Sequence, residues 1–363
     1  MRIYVTTQGS SIIEEGGHLL VRCGKEIQRT IFLNRLSQLI LCGNVSLTAP
    51  ARNALFRNSI DTVFLTRNGR YLGRFNQPEP KNIDMRKRQF ALSEDPEFTL
   101  STARAIVAGK LANQAAVLTR LHRKHPDDQL AGQAGALRNI IGQLGGCSSI
   151  DELRGYEGQG SALYFAVFNR GFDQDQEFGK RIRRPPTDPV NAMLSLLYTF
   201  LYNQVYSAIR QAHLDPYLGN LHAMDYGRYS LALDLMEEFR PLLVDTLVFA
   251  LFNLGVLKRD EDFICQEKNG EGAEEDGAEE EDALEDREDE SSDGPERPVP
   301  VLLKPESLKK VIAQFERKMA TSFTCEGDDH QITYSEALTR QARLYRLCVE
   351  DSENQYKPIA MVP

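Results

Sequence analysis

The residues best suited to metal chemistry lie in one run around position 230. His222 comes first, Gly227 interrupts, and Ser230-Leu231-Ala232-Leu233-Asp234-Leu235-Met236-Glu237-Glu238-Phe239-Arg240-Pro241 follows with helical spacing. On that helix Leu231 and Leu235 share a face, as do Ala232, Met236 and Phe239. Asp234 precedes Glu237 by three residues and Glu238 by four, so the three acids occupy adjoining parts of the helix surface. The spacing puts Asp234 and Glu238 beside the apolar stripe and Glu237 further toward solvent. Clustered carboxylates repel and raise one another's pKa values, and a cation among them removes that cost. His222 lies one loop upstream and can reach the same place. A mixed imidazole and carboxylate set suits Mn²⁺ or Mg²⁺ with open water positions. A solvated acidic helix edge beside a loop histidine is the plainer alternative.

A second candidate is Glu157, set among Gly155, Gly158 and Gly160 at the start of an apolar helix through Leu163, Phe165, Ala166 and Phe168. Glycines there allow a backbone or phosphate to come close. Its alternative is a first-turn glutamate stabilised by the helix dipole. Lys180, Arg181, Arg183 and Arg184 place four bases in five residues before Pro185-Pro186, a loop fit to contact phosphates or simply solvated. Arg86-Lys87-Arg88 and Arg120 to Lys124 are further basic spots. His18, His122, His125, His213 and His330 have no ligand-like context. No phosphate-binding loop of the Walker type and no nucleophile elbow occurs. Gly142 to Gly146 reads as a loop and not as a dinucleotide fingerprint.

These residues need elements to hold them. Residues 2–75 read mainly as β, with apolar runs at Ile3-Tyr4-Val5, Leu19-Leu20-Val21, Ile31-Phe32-Leu33, Gln38-Leu39-Ile40-Leu41 and Thr62-Val63-Phe64-Leu65. Gly16-Gly17, Gly43-Asn44 and Asn68-Gly69 supply turns, and Thr48-Ala49-Pro50 predicts a short helix over 48–57. Pro78 and Pro80 mark a linker, after which the period becomes helical. Helices are expected over 98–122, 188–212, 305–323 and 333–349, with one kinked helix or two over 228–255, broken near Pro241. The fold class is therefore α+β: an N-terminal β-rich domain over 1–78, then an all-α catalytic domain over 79–363. Residues 266–298 are acidic, rich in Gly and Ser, and poor in apolar anchors, so disorder is expected there.

Composition bounds the rest. A chain of 363 residues fits two domains at roughly 150 residues each. No apolar stretch approaches the roughly 18 residues of a membrane span, and no signal-peptide run follows Met1, so a cytoplasmic protein is expected. The six cysteines form no CxxC pair, which argues against a zinc ribbon and a disulfide framework. The net charge of −9 hides a division. Residues 267–296 hold 16 acids against 2 bases, and the remaining chain holds 36 acids against 41 bases. A mildly basic body permits a polyanionic partner.

Together, Gly155-Tyr156-Glu157-Gly158, Arg184-Pro185-Pro186-Thr187-Asp188-Pro189-Val190-Asn191-Ala192-Met193-Leu194-Ser195, Gly219-Asn220-Leu221-His222 and the run from Ser230 to Pro241 resemble one family. It is the CRISPR-associated integrase family, the "Cas-one" nuclease of spacer acquisition. The likeness extends to the tail, Gln341-Ala342-Arg343 and Tyr356-Lys357-Pro358. Where the family often has Asn after its Glu-Gly pair, this chain has Gln159. The resemblance implies metal ligands Glu157, His222 and Glu237, with Asp234 as a supporting catalytic acid. It, and not helix geometry, selects Glu237 over Glu238. It implies Mn²⁺ or Mg²⁺ as cofactor, double-stranded DNA as substrate, and a role in antiviral defence. It also implies a homodimer through the β-domain, bridged to a second dimer by a small ferredoxin-like partner. The implied reaction is attack by a DNA 3′-hydroxyl on a phosphodiester of a repeat array, or hydrolysis with water instead. Arg183, Arg184, Arg228 and Arg240 are then candidates for phosphate contacts. The rivals are a transposon-type integrase or repair nuclease of the same family, and a non-catalytic DNA-binding scaffold.

Overall fold

The computed structural model describes residues 1–363 apart from 76–81, 184, 266–298, 326–330, 352 and 362–363. The acidic run expected to be disordered, and Arg184 of the basic loop, lie outside the described residues. The chain divides into two compact units, Met1–Glu79 with Leu303–Ile312, and Pro80–Leu302 with Ala313–Pro363.

The first unit contains β1 (Arg2–Val5), β2 (Ser10–Glu15), β3 (His18–Cys23), β4 (Glu26–Phe32), β5 (Gln38–Cys42), β6 (Val45–Leu47), α1 (Ala49–Arg57), β7 (Asp61–Leu65) and β8 (Tyr71–Phe75). The strands make two four-stranded sheets, ordered β1-β5-β7-β8 and β4-β3-β2-β6. β5 pairs in parallel with both β1 and β7, and all five of its residues are buried. That is why Leu39-Ile40-Leu41-Cys42 is an unbroken apolar run. β2 and β3 are antiparallel and alternate, turning Ile12, Leu19 and Val21 inward. α1 starts where its sequence says it should. The Thr48 hydroxyl accepts from Ala51 N, Pro50 sits in the first turn, and Ala51, Ala54 and Leu55 face the core. β2 was not legible, because Ser10-Ser11-Ile12-Ile13-Glu14-Glu15 holds only two apolar residues.

The second unit is mostly helical. Its elements include α2 (Ile83–Ser93), α3 (Pro96–Lys124), α4 (Asp128–Gln143), α5 (Ile150–Ala166), α6 (Pro189–Gln211), α7 (Ser230–Met236), α8 (Thr246–Asn253) and α9 (Arg259–Asp262). α10 (Pro305–Met319), divided between the two units after Ile312, and α11 (Tyr334–Glu350) follow in the chain. Two ladders correct the all-α expectation: β9 (Phe263–Cys265) pairs β10 (Val301–Leu303), and β11 (Ser322–Thr324) pairs β12 (Gln331–Thr333). Strands of three residues are too short to show a period in sequence. Among the described residues, no helix is long and apolar enough to cross a membrane.

α3 is the long beam of this unit and packs on α4 and α5. α6 is buried on nearly every side, from Pro189 to Ile209, and packs on α7 and α11. Its start follows the expected signal, with Asp188 accepting from Asn191 N and Pro189 in the first turn. Two helix readings need correction. α5 begins at Ile150, capped by Ser149, so Glu157 sits mid-helix and not in a first turn. α4 runs to Gln143, so Gly142 to Gly146 begins in a helix and ends in a 3-10 turn. The stretch 228–255 resolves into α7, a π-helical turn Arg240–Asp245 and α8. Pro241 has no N–H to offer the preceding turn, which is the local reason the α-helix gives way there.

Candidate active site

Asp234 on α7 organises the histidine loop. It is fully buried, and its Oδ2 accepts from Asn220 N at 2.5 Å and Leu221 N at 3.0 Å. Its Oδ1 accepts from His222 N at 3.0 Å and from His222 Nδ1 at 2.7 Å. One carboxylate thus orders three consecutive amides and one imidazole. Because a carboxylate only accepts, this contact places a ring hydrogen on Nδ1. Nε2 turns toward Glu237 and lies 3.8 Å from its Oε1. The loop can pass this close because Gly219 has no side chain. A Cβ there would stand 2.6 Å from Ser230 Cβ and 2.8 Å from its carbonyl carbon. Arg154 of α5 ties the loop down by donating from Nε to Leu221 O at 2.8 Å.

Glu237 and Glu238 are both buried, so Glu237 does not point toward solvent as helical spacing implied. The α-helix ends at Met236 and the π-helical turn begins at Arg240, so a fixed rotation per residue does not carry across. The two acids face different partners. Glu237 Oε1 lies 3.1 Å from Arg240 Nε, and its Oε2 lies 2.6 Å from Lys110 Nζ. Glu238 holds the C-terminal segment instead. It accepts from Tyr356 OH at 2.6 Å, Ile359 N at 2.5 Å and Gln341 Nε2 at 3.1 Å.

Glu157 comes in from α5. Its Oε1 accepts from Ser161 Oγ at 2.9 Å and from Lys110 Nζ. Gly160, one turn on, makes the approach possible, because a Cβ there would collide with Leu111 of α3. Lys110 was missed in the sequence. A signal was present: Ala103, Ile106, Val107 and Leu111 set the buried stripe of α3, and Lys110 falls on it. A charge on an apolar stripe needs a partner inside.

The electrostatics follow from burial and pairing. Burial pulls the Lys110 pKa down, but the Glu157 and Glu237 charges outweigh it and hold it above the usual lysine value. Burial pushes the Glu157 carboxyl up, and the Lys110 ammonium reverses that to a net lowering. Glu237 is brought to about 2, with burial overcome by Arg240 and then Lys110. Among the described residues no cation is paired with Glu238, and burial raises it to about 7 against the hydrogen bonds of Tyr356, Ile359 and Gln341.

The site therefore brings Glu157, His222, Asp234 and Glu237 together. The donor types fit a hard divalent ion: two carboxylates and an imidazole whose far nitrogen is held by an acid, the usual outer support of a metal-bound histidine. As they stand, no three acid, histidine or cysteine side chains among the described residues are gathered to hold an ion. The carboxylates close on the Lys110 ammonium instead.

The basic residues are split by the fold. Arg181 turns inward, donating to Asn191 Oδ1 and Ser195 Oγ, each at 3.0 Å. Arg228 is buried and donates to Asp225 Oδ2 at 3.2 Å. Arg240 lies at the acidic centre, its guanidinium 4.7 Å from the Tyr198 ring centre. These three hold the fold or the site and are not spread on a surface. Lys180 is exposed and Arg183 half-buried.

The family model for CRISPR associated protein Cas1 matches residues 3–278. A Rhodospirillum rubrum protein named CRISPR-associated endonuclease Cas1 2 is 38% identical over 262 residues, 69% of this chain and 75% of its own. Among solved structures, a casposase bound to integration product aligns with TM-score 0.78 and 23% identity, covering 98% of this chain and 92% of its own. A chain of a Cas6-RT-Cas1–Cas2 complex aligns with TM-score 0.75 and 24% identity over 98% of this chain, which spans 36% of that longer chain. At such identities the two structures speak for the fold. The family match and the R. rubrum relative carry the assignment, and the chain belongs to the CRISPR associated protein Cas1 family.

Proposed function

We propose that this protein is a metal-dependent DNA endonuclease and integrase that inserts short duplexes into a CRISPR repeat array. The observation that carries the reading is the convergence of Glu157 and Glu237 on one cation position, with His222 beside it and held by Asp234. In this reading Glu157, His222 and Glu237 would hold Mn²⁺ or Mg²⁺. Bound there, the ion would neutralise charge growing on a phosphodiester's oxygens. Asp234 keeps the imidazole in the tautomer that presents Nε2. Arg240 and the low pKa of Glu237 keep that carboxylate ionised over the working pH range. Lys180 and Arg183, on the solvent side, meet backbone phosphates. A DNA 3′-hydroxyl forms the new P–O bond as the target strand's own 3′ oxygen leaves. No covalent protein–DNA intermediate is required, and water in place of the hydroxyl gives hydrolysis.

The R. rubrum relative's name supports the endonuclease activity, and the complex containing Cas1 and Cas2 supports a Cas partner, which this reading takes to be a small ferredoxin-like protein. Homodimerisation through the β-rich unit belongs to the same reading. Likeness to a casposase favours a second reading, a transposon-type integrase. One assay separates them: purified protein, a labelled short duplex, Mn²⁺, and supercoiled plasmid with or without a repeat array. Joining that needs the repeat and vanishes in His222→Ala supports the first reading. Equal joining to both plasmids supports the second, and joining by His222→Ala at the wild-type rate removes the ligand assignment.

A further inference from the structure

Lys110 stands where the ligand set would hold its ion. Its Nζ contacts Glu157 Oε1 and lies 2.6 Å from Glu237 Oε2, and the residue is only 7% exposed. Both carboxylates are ligands under the reading above, on which this inference rests. An ammonium and a divalent ion cannot share these oxygens. The oxygen ligands of Mg²⁺ stand about 2.0–2.1 Å from it, so the two cations would be pressed together in a site with little water to screen them. Arg240, 3.1 Å from Glu237, adds a third positive group. The ammonium sits on a flexible four-carbon stem, so it can leave the carboxylates while α3 stays in place.

We propose that Lys110 is a resident counter-ion: it closes the acidic site of the metal-free protein and is displaced when the ion enters. It solves a folding problem. Without it, the half-buried Glu157 and the buried Glu237 would face each other with like charge, Arg240 being set against Glu237. The same contact sets a threshold for loading, because an entering ion must break both Lys110 pairs. Removing the charge at 110 therefore has opposite effects on the two states. The metal-free protein loses stability and the metal-bound protein forms at lower ion concentration.

The test uses the full chain as wild type, Lys110→Met, Lys110→Gln, Lys110→Arg and His222→Ala. Mn²⁺ binding is followed by electron paramagnetic resonance of the free ion, and thermal unfolding is followed in EDTA and in Mn²⁺. Lys110→Met is expected to bind Mn²⁺ about tenfold tighter than wild type. Its unfolding midpoint in EDTA should drop by a few degrees and recover in Mn²⁺. Lys110→Arg, which keeps the charge, should stay near wild type. If Lys110→Met does not fold, Lys110→Gln, which keeps a donor without the charge, carries the same expectation. Unchanged or weaker Mn²⁺ binding in the neutral variants, with wild type binding Mn²⁺ and His222→Ala not, overturns the counter-ion role alone. Equal Mn²⁺ binding by wild type and His222→Ala overturns the ligand reading and the counter-ion role with it.

Discussion

Asp234 is bonded to His222 and its loop, which makes it the clearest residue to test for positioning. It accepts from three amides and the imidazole Nδ1. An asparagine has one acceptor oxygen and an NH₂ that donates, so it cannot satisfy all four. Asp234→Asn is expected to keep its far-ultraviolet circular dichroism. Mn²⁺-dependent strand transfer should fall about 10–100-fold, the usual cost of removing such outer support. A variant that joins DNA at the wild-type rate would show that the loop orders His222 without this carboxylate.

The position of Glu157 depends on how closely α5 meets α3. Gly160 permits that approach against Leu111. Gly160→Val should therefore cost about 1–3 kcal/mol through overpacking. It should also reduce strand transfer beyond the loss of folded protein, because Glu157 moves with the helix. Equal stability in a urea titration would mean that α5 can shift at no cost. The turn after α7 separates two neighbouring acids in the same way. Glu238→Ala leaves Tyr356 OH, Ile359 N and Gln341 Nε2 without their acceptor. A loss of about 2–4 kcal/mol is expected, with activity surviving at temperatures where the variant is folded. Glu237→Ala should instead be inactive while folded. If the two phenotypes are exchanged in melting and joining assays, Glu238 is the ligand.

Across the whole chain, charge bears on the proposed contact with DNA. Apart from residues 267–296 the chain carries 41 bases against 36 acids, yet several of those bases are engaged inside. Arg181, Arg228 and Arg240 all pair within the fold. Under the proposed function, phosphate contacts fall to residues such as Lys180, which is exposed, and Arg183, which is half-buried. Duplex affinity should fall steeply with salt, and the double variant Lys180→Glu with Arg183→Glu should flatten that slope by about one unit for each phosphate it no longer neutralises. A slope that does not change in a fluorescence-anisotropy titration would take this loop out of the interface.

Local features could be read directly from the order of residues. Caps at Thr48 and Asp188 and the apolar periods of α3 and α6 marked these elements within a few residues. The family motif, together with helical spacing of acids near His222, pointed to one neighbourhood. The short ladders β9–β10 and β11–β12 were not legible, because three residues carry no period. Apart from the preference for Glu237 that the family motif implied, two outcomes rest on tertiary packing. One is which of Glu237 and Glu238 meets Glu157, since spacing rules hold only along an unbroken helix and the backbone here passes into a π-helical turn. The other is Lys110, whose two partners are brought to it from α5 and from the turn after α7. No pattern within α3 names them; only the packing of α5 and that turn against α3 brings the charges within reach.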